Sequence, residues 1–298
     1  MAKDNAALTR RDFMKGVGGA FLGMAVGMPE PACGRVTQPA TSRVVLIRNE
    51  HVVSGLNDYD GDLIQAMLDE ALVALFGLES PSDCWAQMIR PDDVVGIKSN
   101  VWRYLPTPPE LEQAIVRGVL GAGVSEENVA ISDRGVLQSE VFRRSTALIN
   151  TRPMRTHAWS GVGSLLKNYI TFDRPPDYHD DACASLAKLW ELPITRGKTR
   201  LNVLVMLTPQ FHNIGPHHFD PSYTWPYGGL IVSRDPVAAD AVGLRIIQQK
   251  RRLVFGEDRP LQPTAHHIAL ADTEYGLGNA AMDKIELVRL GWTDDSLI

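Results

Sequence analysis

Residues 94–133, VVGIKSNVWRYLPTPPELEQAIVRGVLGAGVSEENVAISD, decide the fold. VVGIK (94–98) is a β-rich run that ends at Lys98-Ser99-Asn100. Thr107-Pro108-Pro109-Glu110 then has the form of a capping box with proline at the first helical position. The helix it opens runs to about Leu120, where Gly121 and Gly123 stop it. NVAIS (128–132) follows as a strand ending at Asp133. Strand, helix and strand in this order predict a right-handed crossover between parallel strands.

The same alternation continues outward. RVVLIR (43–48) reads as a first strand, and residues 62–76 carry a wide apolar helical stripe closed by Gly77. LNVLVML (201–207) suits a central parallel strand, and residues 229–233 form another. Asp235-Pro236 then caps a helix running to about Lys250, with Asp240 on its apolar face. Further helices are expected at 182–190 and 264–272, and a last strand at 285–290. The predicted class is α/β: an open, mainly parallel sheet with helices on both faces. Ligands in such sheets lie beyond the carboxyl ends of the strands.

The first 40 residues read as a leader. Arg10 and Arg11 precede an apolar, glycine-rich run (16–28) that is too short to span a membrane. Paired arginines before such a run look like a twin-arginine signal peptide, which implies the twin-arginine export machinery as a partner and a periplasmic destination. Residues 41–298 are then a single α/β domain, with no membrane span expected after signal removal. Residues 1–40 hold five Lys/Arg and three Asp/Glu, so setting them aside takes the formal charge from −5 to −7. An acidic chain without a basic run argues against nucleic acid as a partner. Cys33, Cys84 and Cys183 are widely spaced with no C-x-x-C pair, so no iron–sulfur cluster is expected within the chain. A Cys84–Cys183 disulfide stays open.

The functional reading centres on residues 146–171, TALINTRPMRTHAWSGVGSLLKNYIT. A short apolar segment (147–149) leads into an expected loop carrying Asn150, Arg152, Arg155 and His157, then a helix opening near Ser160 that carries Lys167 and Asn168. These cations and carboxamides, with free N–H groups at the helix start, make a candidate site for a small anionic ligand, carboxylate or phosphate. Lys98, Asn100, Asn150, Arg155 and Asn168 are the candidate substrate-binding residues. The bland alternative is a set of surface salt bridges. Gly161-x-Gly163 is no P-loop, and close packing is its simpler use.

His157, Lys167 and His212 are the candidate catalytic residues. A histidine would move a proton, and a buried Lys167 would serve as base or imine-forming amine. His212 lies in a long aperiodic segment (208–228) that also holds His217 and His218, read as an ordered flap. A metal ion is one option there, with His217 and His218 as candidate ligands. Adjacent histidines on extended backbone point opposite ways, so at most one of these two would join a given site.

VVGIKSN, VAISD, ALINTRPMRTHAWSGVGSLLKN and VSRDPVAADAVG, in this order, resemble the successive blocks of the domain-of-unknown-function 362 (DUF362) family across roughly residues 44–250. The resemblance implies an α/β domain and no agreed activity. Some relatives carry ferredoxin-like cysteine clusters that this chain lacks. Where many have a lysine before Thr-His, Arg155 stands here, and a guanidinium does not form a Schiff base. The leading expectation is an exported enzyme acting on a small anion. The alternatives are a non-catalytic binding or maturation factor and a structural subunit of an envelope complex.

Overall fold

The computed structural model describes residues 40–298 apart from 214, 216 and 217. The leader with Arg10 and Arg11, and His217, lie outside the described residues. In chain order the elements begin with Ser42–Arg48 (β1), Val53–Gly55 (β2), Asp58–Tyr59 (β3), Gly61–Phe76 (α1), Pro81–Met88 (α2) and Val95–Lys98 (β4). Pro109–Gly121 (α3), Val129–Ser132 (β5), Glu140–Arg144 (α4), Ala147–His157 (β6), Gly161–Gly163 (β7) and Leu165–Asn168 (α5) follow. Thr199–Gln210 (β8), Gly229–Ser233 (β9), Pro236–Phe255 (α6), His267–Thr273 (α7) and Ile285–Gly291 (β10) complete the chain.

The central sheet runs β10-β1-β9-β8-β6-β4-β5, with β7 folded back onto β6 and β2–β3 a separate ribbon. The β4–β5, β4–β6, β6–β8 and β1–β10 pairs are parallel. Only β9, against both β1 and β8, and β7 run antiparallel. The sheet is therefore mixed and mostly parallel, as an α/β fold requires.

Alternation along the strands builds two cores. Val44 and Leu46 of β1 pack with α5, α6 and α7, while Val45 and Ile47 face α1, α2 and α3. Helix ends follow the local chemistry. Asp60 caps α1 through the Leu63 N–H, and Gly77 ends it in the left-handed conformation at φ 67°. Asp235 accepts from the Val237 and Ala238 N–H groups to start α6. No helix among the described residues is long and apolar enough to cross a membrane.

Four local expectations are corrected. The capping box at Thr107 does not form, because Thr107 Oγ1 accepts from the Asn100 N–H (3.2 Å) and donates to the Thr151 carbonyl (3.4 Å), leaving α3 without a side-chain cap. Residues 150–157 are not a loop: β6 continues through all eleven residues, every one buried. No helix opens at Ser160, since β7 comes first and pairs Gly161 with His157 and Gly163 with Arg155. The expected helix at 182–190 is a run of 3-10 turns, broken by left-handed backbone at Ala182 and Cys183. Cys84 and Cys183 are both free and buried in opposite core layers, so they do not pair.

Candidate functional site

Polar residues enter the sheet in one row. Register places Lys98 between Ser132 and Asn150, Asn150 opposite Asn202, and Asn202 opposite Ser233. Lys98, Asn150, Asn202 and Ser233 are fully or almost fully buried, so each must find partners within the protein. Lys98 Nζ donates to Asp133 Oδ1 (2.7 Å), the Ser99 carbonyl (2.8 Å) and Asn168 Oδ1 (3.4 Å). Asn168 Nδ2 donates to Asn150 Oδ1 at 2.8 Å, and Asn150 Nδ2 to Asn202 Oδ1 at 3.2 Å. Burial disfavours ionisation of Asp133, but Lys98 overrides it and holds the carboxyl below its ordinary value. The structure thus brings Lys98, Asn150 and Asn168 together, and they spend hydrogen bonds on one another. They form the floor of the site.

Above this floor the cations differ. Arg152, Arg155 and Lys167 are only 4%, 3% and 3% exposed, and among the described residues none forms an ion pair. Arg155 Nη1 donates to Asn100 Oδ1 at 3.2 Å, and its guanidinium lies 4.4 Å over the Trp102 ring. The Nε atoms of Arg152 and Arg155 are buried without a hydrogen-bond partner. Among the described residues Lys167 Nζ reaches only Cys183 Sγ, at 3.2 Å. Burial, and then the neighbouring Arg152, push Arg155 well below its ordinary value; Lys167 is pushed down to about 8, mainly by burial and further by the two arginines. A guanidinium stays protonated at neutral pH, so its penalty is an unmet demand for negative charge.

The nearest other carboxylate is already committed. Asp240 accepts from Ser164 Oγ (2.6 Å) and from the Leu165 and Leu166 N–H groups (2.9 Å each), and burial raises it to about 7. These backbone donors belong to α5, so the expected contribution of a helix start to anion binding is absent: Asp240 occupies it. Asp240 is a structural cap.

His157 and His212 come together at a cavity of about 490 Å³, whose lining includes Thr156, Gly161 and Arg251. His157 Nδ1 accepts from the Trp159 N–H at 3.2 Å, which leaves Nε2 carrying the proton in the neutral ring. Burial, then Lys167, Arg152 and Arg155, hold His157 well below its ordinary value. His212 Nδ1 faces the Arg251 guanidinium at 3.1 Å; a guanidinium only donates, so here too Nε2 carries the proton. Gly163 allows the cluster to close, because a Cβ there would lie 2.7 Å from Arg152 Nη2 and 3.4 Å from His157 Cδ2.

His218 is exposed, and no group of three or more His, Cys, Asp or Glu among the described residues could hold a metal ion. Four participants, Asn202 among them, were not singled out from sequence as site residues. Cys183 contacts Lys167; His179 stacks near Trp159, with ring centroids 4.2 Å apart; His267 is fully buried with both ring nitrogens unpartnered. Asn202 had a signal, being the one polar residue inside an apolar strand. Cys183 had none, because its position depends on left-handed backbone at Asp181, Ala182 and Cys183.

Fold and site together define an α/β protein with a cluster of buried cations on β6 and α5, next to a cavity that His157 and His212 line. No family model, curated protein or solved structure matches the chain.

Proposed function

We propose that this chain is an exported enzyme acting on a small anionic substrate, a carboxylate or phosphate. Arg152, Arg155 and Lys167 hold the charge, while His157 and His212 donate hydrogen bonds and relay protons at the adjoining cavity. One observation carries the reading: among the described residues three buried cations form no ion pair, a state that costs several kcal/mol per ion unless something supplies the charge. Lys167, titrating near 8, offers a neutral amine fraction at neutral pH and serves as base or nucleophile. The paired Arg10 and Arg11 support export by the twin-arginine route, and the order of sequence blocks supports kinship with the DUF362 family.

The test is a thermal-shift screen of phosphates and carboxylates on the exported chain, followed by turnover assays on every stabilising compound. An anion at about 100 times its Kd contributes about 2.7 kcal/mol. For a domain of this size that is roughly 5–11 °C. Arg155→Ala should remove most of that gain. Stabilisation without turnover across the panel would recast the chain as a binding factor, and no stabilisation by any anion sinks the pocket.

A further inference from the structure

Building on the anion-site reading, we infer that the ligand is a phosphate monoester, bound as its dianion, with the phosphoryl group at Arg152, Arg155 and Lys167 and the organic part in the His157–His212 cavity. Charge comes first. Lys98, Arg152, Arg155 and Lys167 share two carboxylates: Asp133, bonded to Lys98 at 2.7 Å, and Asp240, itself committed to Ser164, Leu165 and Leu166. Two positive charges are left over, which a monoanionic carboxylate half-neutralises and a dianion neutralises fully.

Donor geometry points the same way. Arg152 Nε and Arg155 Nε are buried donors without acceptors, and His157 presents Nε2–H. Among the described residues Lys167 has a sulfur as its sole partner, leaving ammonium hydrogens for a ligand. Donors from β6 and α5 converge from different directions. The three free oxygens of a tetrahedral phosphoryl group meet such a set better than the two coplanar oxygens of a carboxylate. His267, fully buried with both nitrogens unpartnered, lies within the field of Lys167 and Arg152 and can donate or accept.

The cavity argues for an ester over free phosphate. Its volume of about 490 Å³ far exceeds the space an inorganic phosphate needs. His157 links it to the cations, because it lines the cavity and lies with Arg152 around Gly163.

Calorimetry on the full exported chain at pH 7 tests this with glycerol 3-phosphate, inorganic phosphate, sulfate and acetate. The expected order has the ester at least as tight as inorganic phosphate, and both at least about tenfold tighter than acetate. Sulfate, a tetrahedral dianion, should bind in the phosphate range. Arg152→Met should weaken ester binding by about tenfold or more, whereas Arg90→Gln, an exposed site, should leave it unchanged. Acetate binding as tightly as the phosphates overturns the dianion while leaving the anion site standing. Inorganic phosphate binding with the ester excluded overturns the assignment of the cavity. No binding by any of the four overturns both this inference and the function on which it rests. The wild-type series decides among these even if Arg152→Met does not fold.

Discussion

Lys167 gives the sharpest test of an unmet charge, because its two roles have opposite signs. Its fall from 10.5 to about 8 corresponds to about 3 kcal/mol by which burial and the two arginines disfavour the charged amine. Between pH 8 and 10.5 the unfolded chain holds a proton that the folded chain does not. Stability therefore rises with pH across that window. Below pH 8 the amine is protonated in both states and the penalty is felt in full. Lys167→Met keeps an unbranched chain of similar length and removes the charge, at the cost of one contact to Cys183 Sγ. In buffer free of phosphate and carboxylate, the variant should be more stable at pH 7 by about 2–3 kcal/mol in urea denaturation, with an unchanged m-value. That advantage should fade towards zero near pH 10.5. With a saturating anion the order should reverse, because only the natural chain gains the binding free energy. A variant that loses stability equally at pH 7 and pH 10 would make Lys167 an ordinary core contributor and refute the reasoning.

Three further outcomes are expected. Asp133→Asn strands the fully buried Lys98 ammonium and should cost about 3–5 kcal/mol at pH 7 by chemical denaturation. Because the Asp133 carboxyl is held below its ordinary value and burial pushes Lys98 down to about 8, the pair's contribution should be intact between the usual carboxylate range and about pH 8, and be lost as pH falls through the folded Asp133 value. Gly163→Ala puts a Cβ 2.7 Å from Arg152 Nη2 and should reduce anion affinity by about tenfold or more by displacing the guanidinium; unchanged calorimetric affinity would remove Arg152 from the site. Replacing Arg10 and Arg11 together by lysine should abolish periplasmic accumulation of a fused reporter, and undiminished export would remove the twin-arginine assignment.

The alternation of 94–133 and its flanks was enough to read the sheet, because period and caps are local properties. The site was legible only in its residue types. A helix start at Ser160 looked right because Ser160-Gly161 can open a helix, but Gly161 takes φ 71° and turns β6 back on itself. Asn150 to His157 looked like a loop because polar residues crowd there. In fact β6 carries them as a strand whose cover comes from β7, α5 and the chain after β8. Burial of that kind is a tertiary property, invisible to a window of sequence. His267 shows the same limit, since on its helix it reads as a plain structural residue, and only the fold encloses it beside Arg152 and Lys167.

The pocket also gathers most of the features that a core built for stability would avoid. Arg152 and Lys167 are buried where methionine or leucine would cost nothing in desolvation. Arg152, Arg155, Gln210 and His267 hold buried polar atoms with no partner. Asp181, Ala182 and Cys183 adopt φ of 45°, 50° and 66°, a run of left-handed non-glycine residues that costs roughly 1–2 kcal/mol per residue. Other buried polar groups are met, as in the row from Lys98 to Ser233 and the cap at Asp240. The buried charge of Lys167 and the strained backbone are coupled, because the strained turn is what delivers Cys183 to Lys167. Relaxing the turn would withdraw the contact of the Lys167 ammonium with Cys183 Sγ. The strain is therefore retained together with the charge, and the proposed anion would offset both.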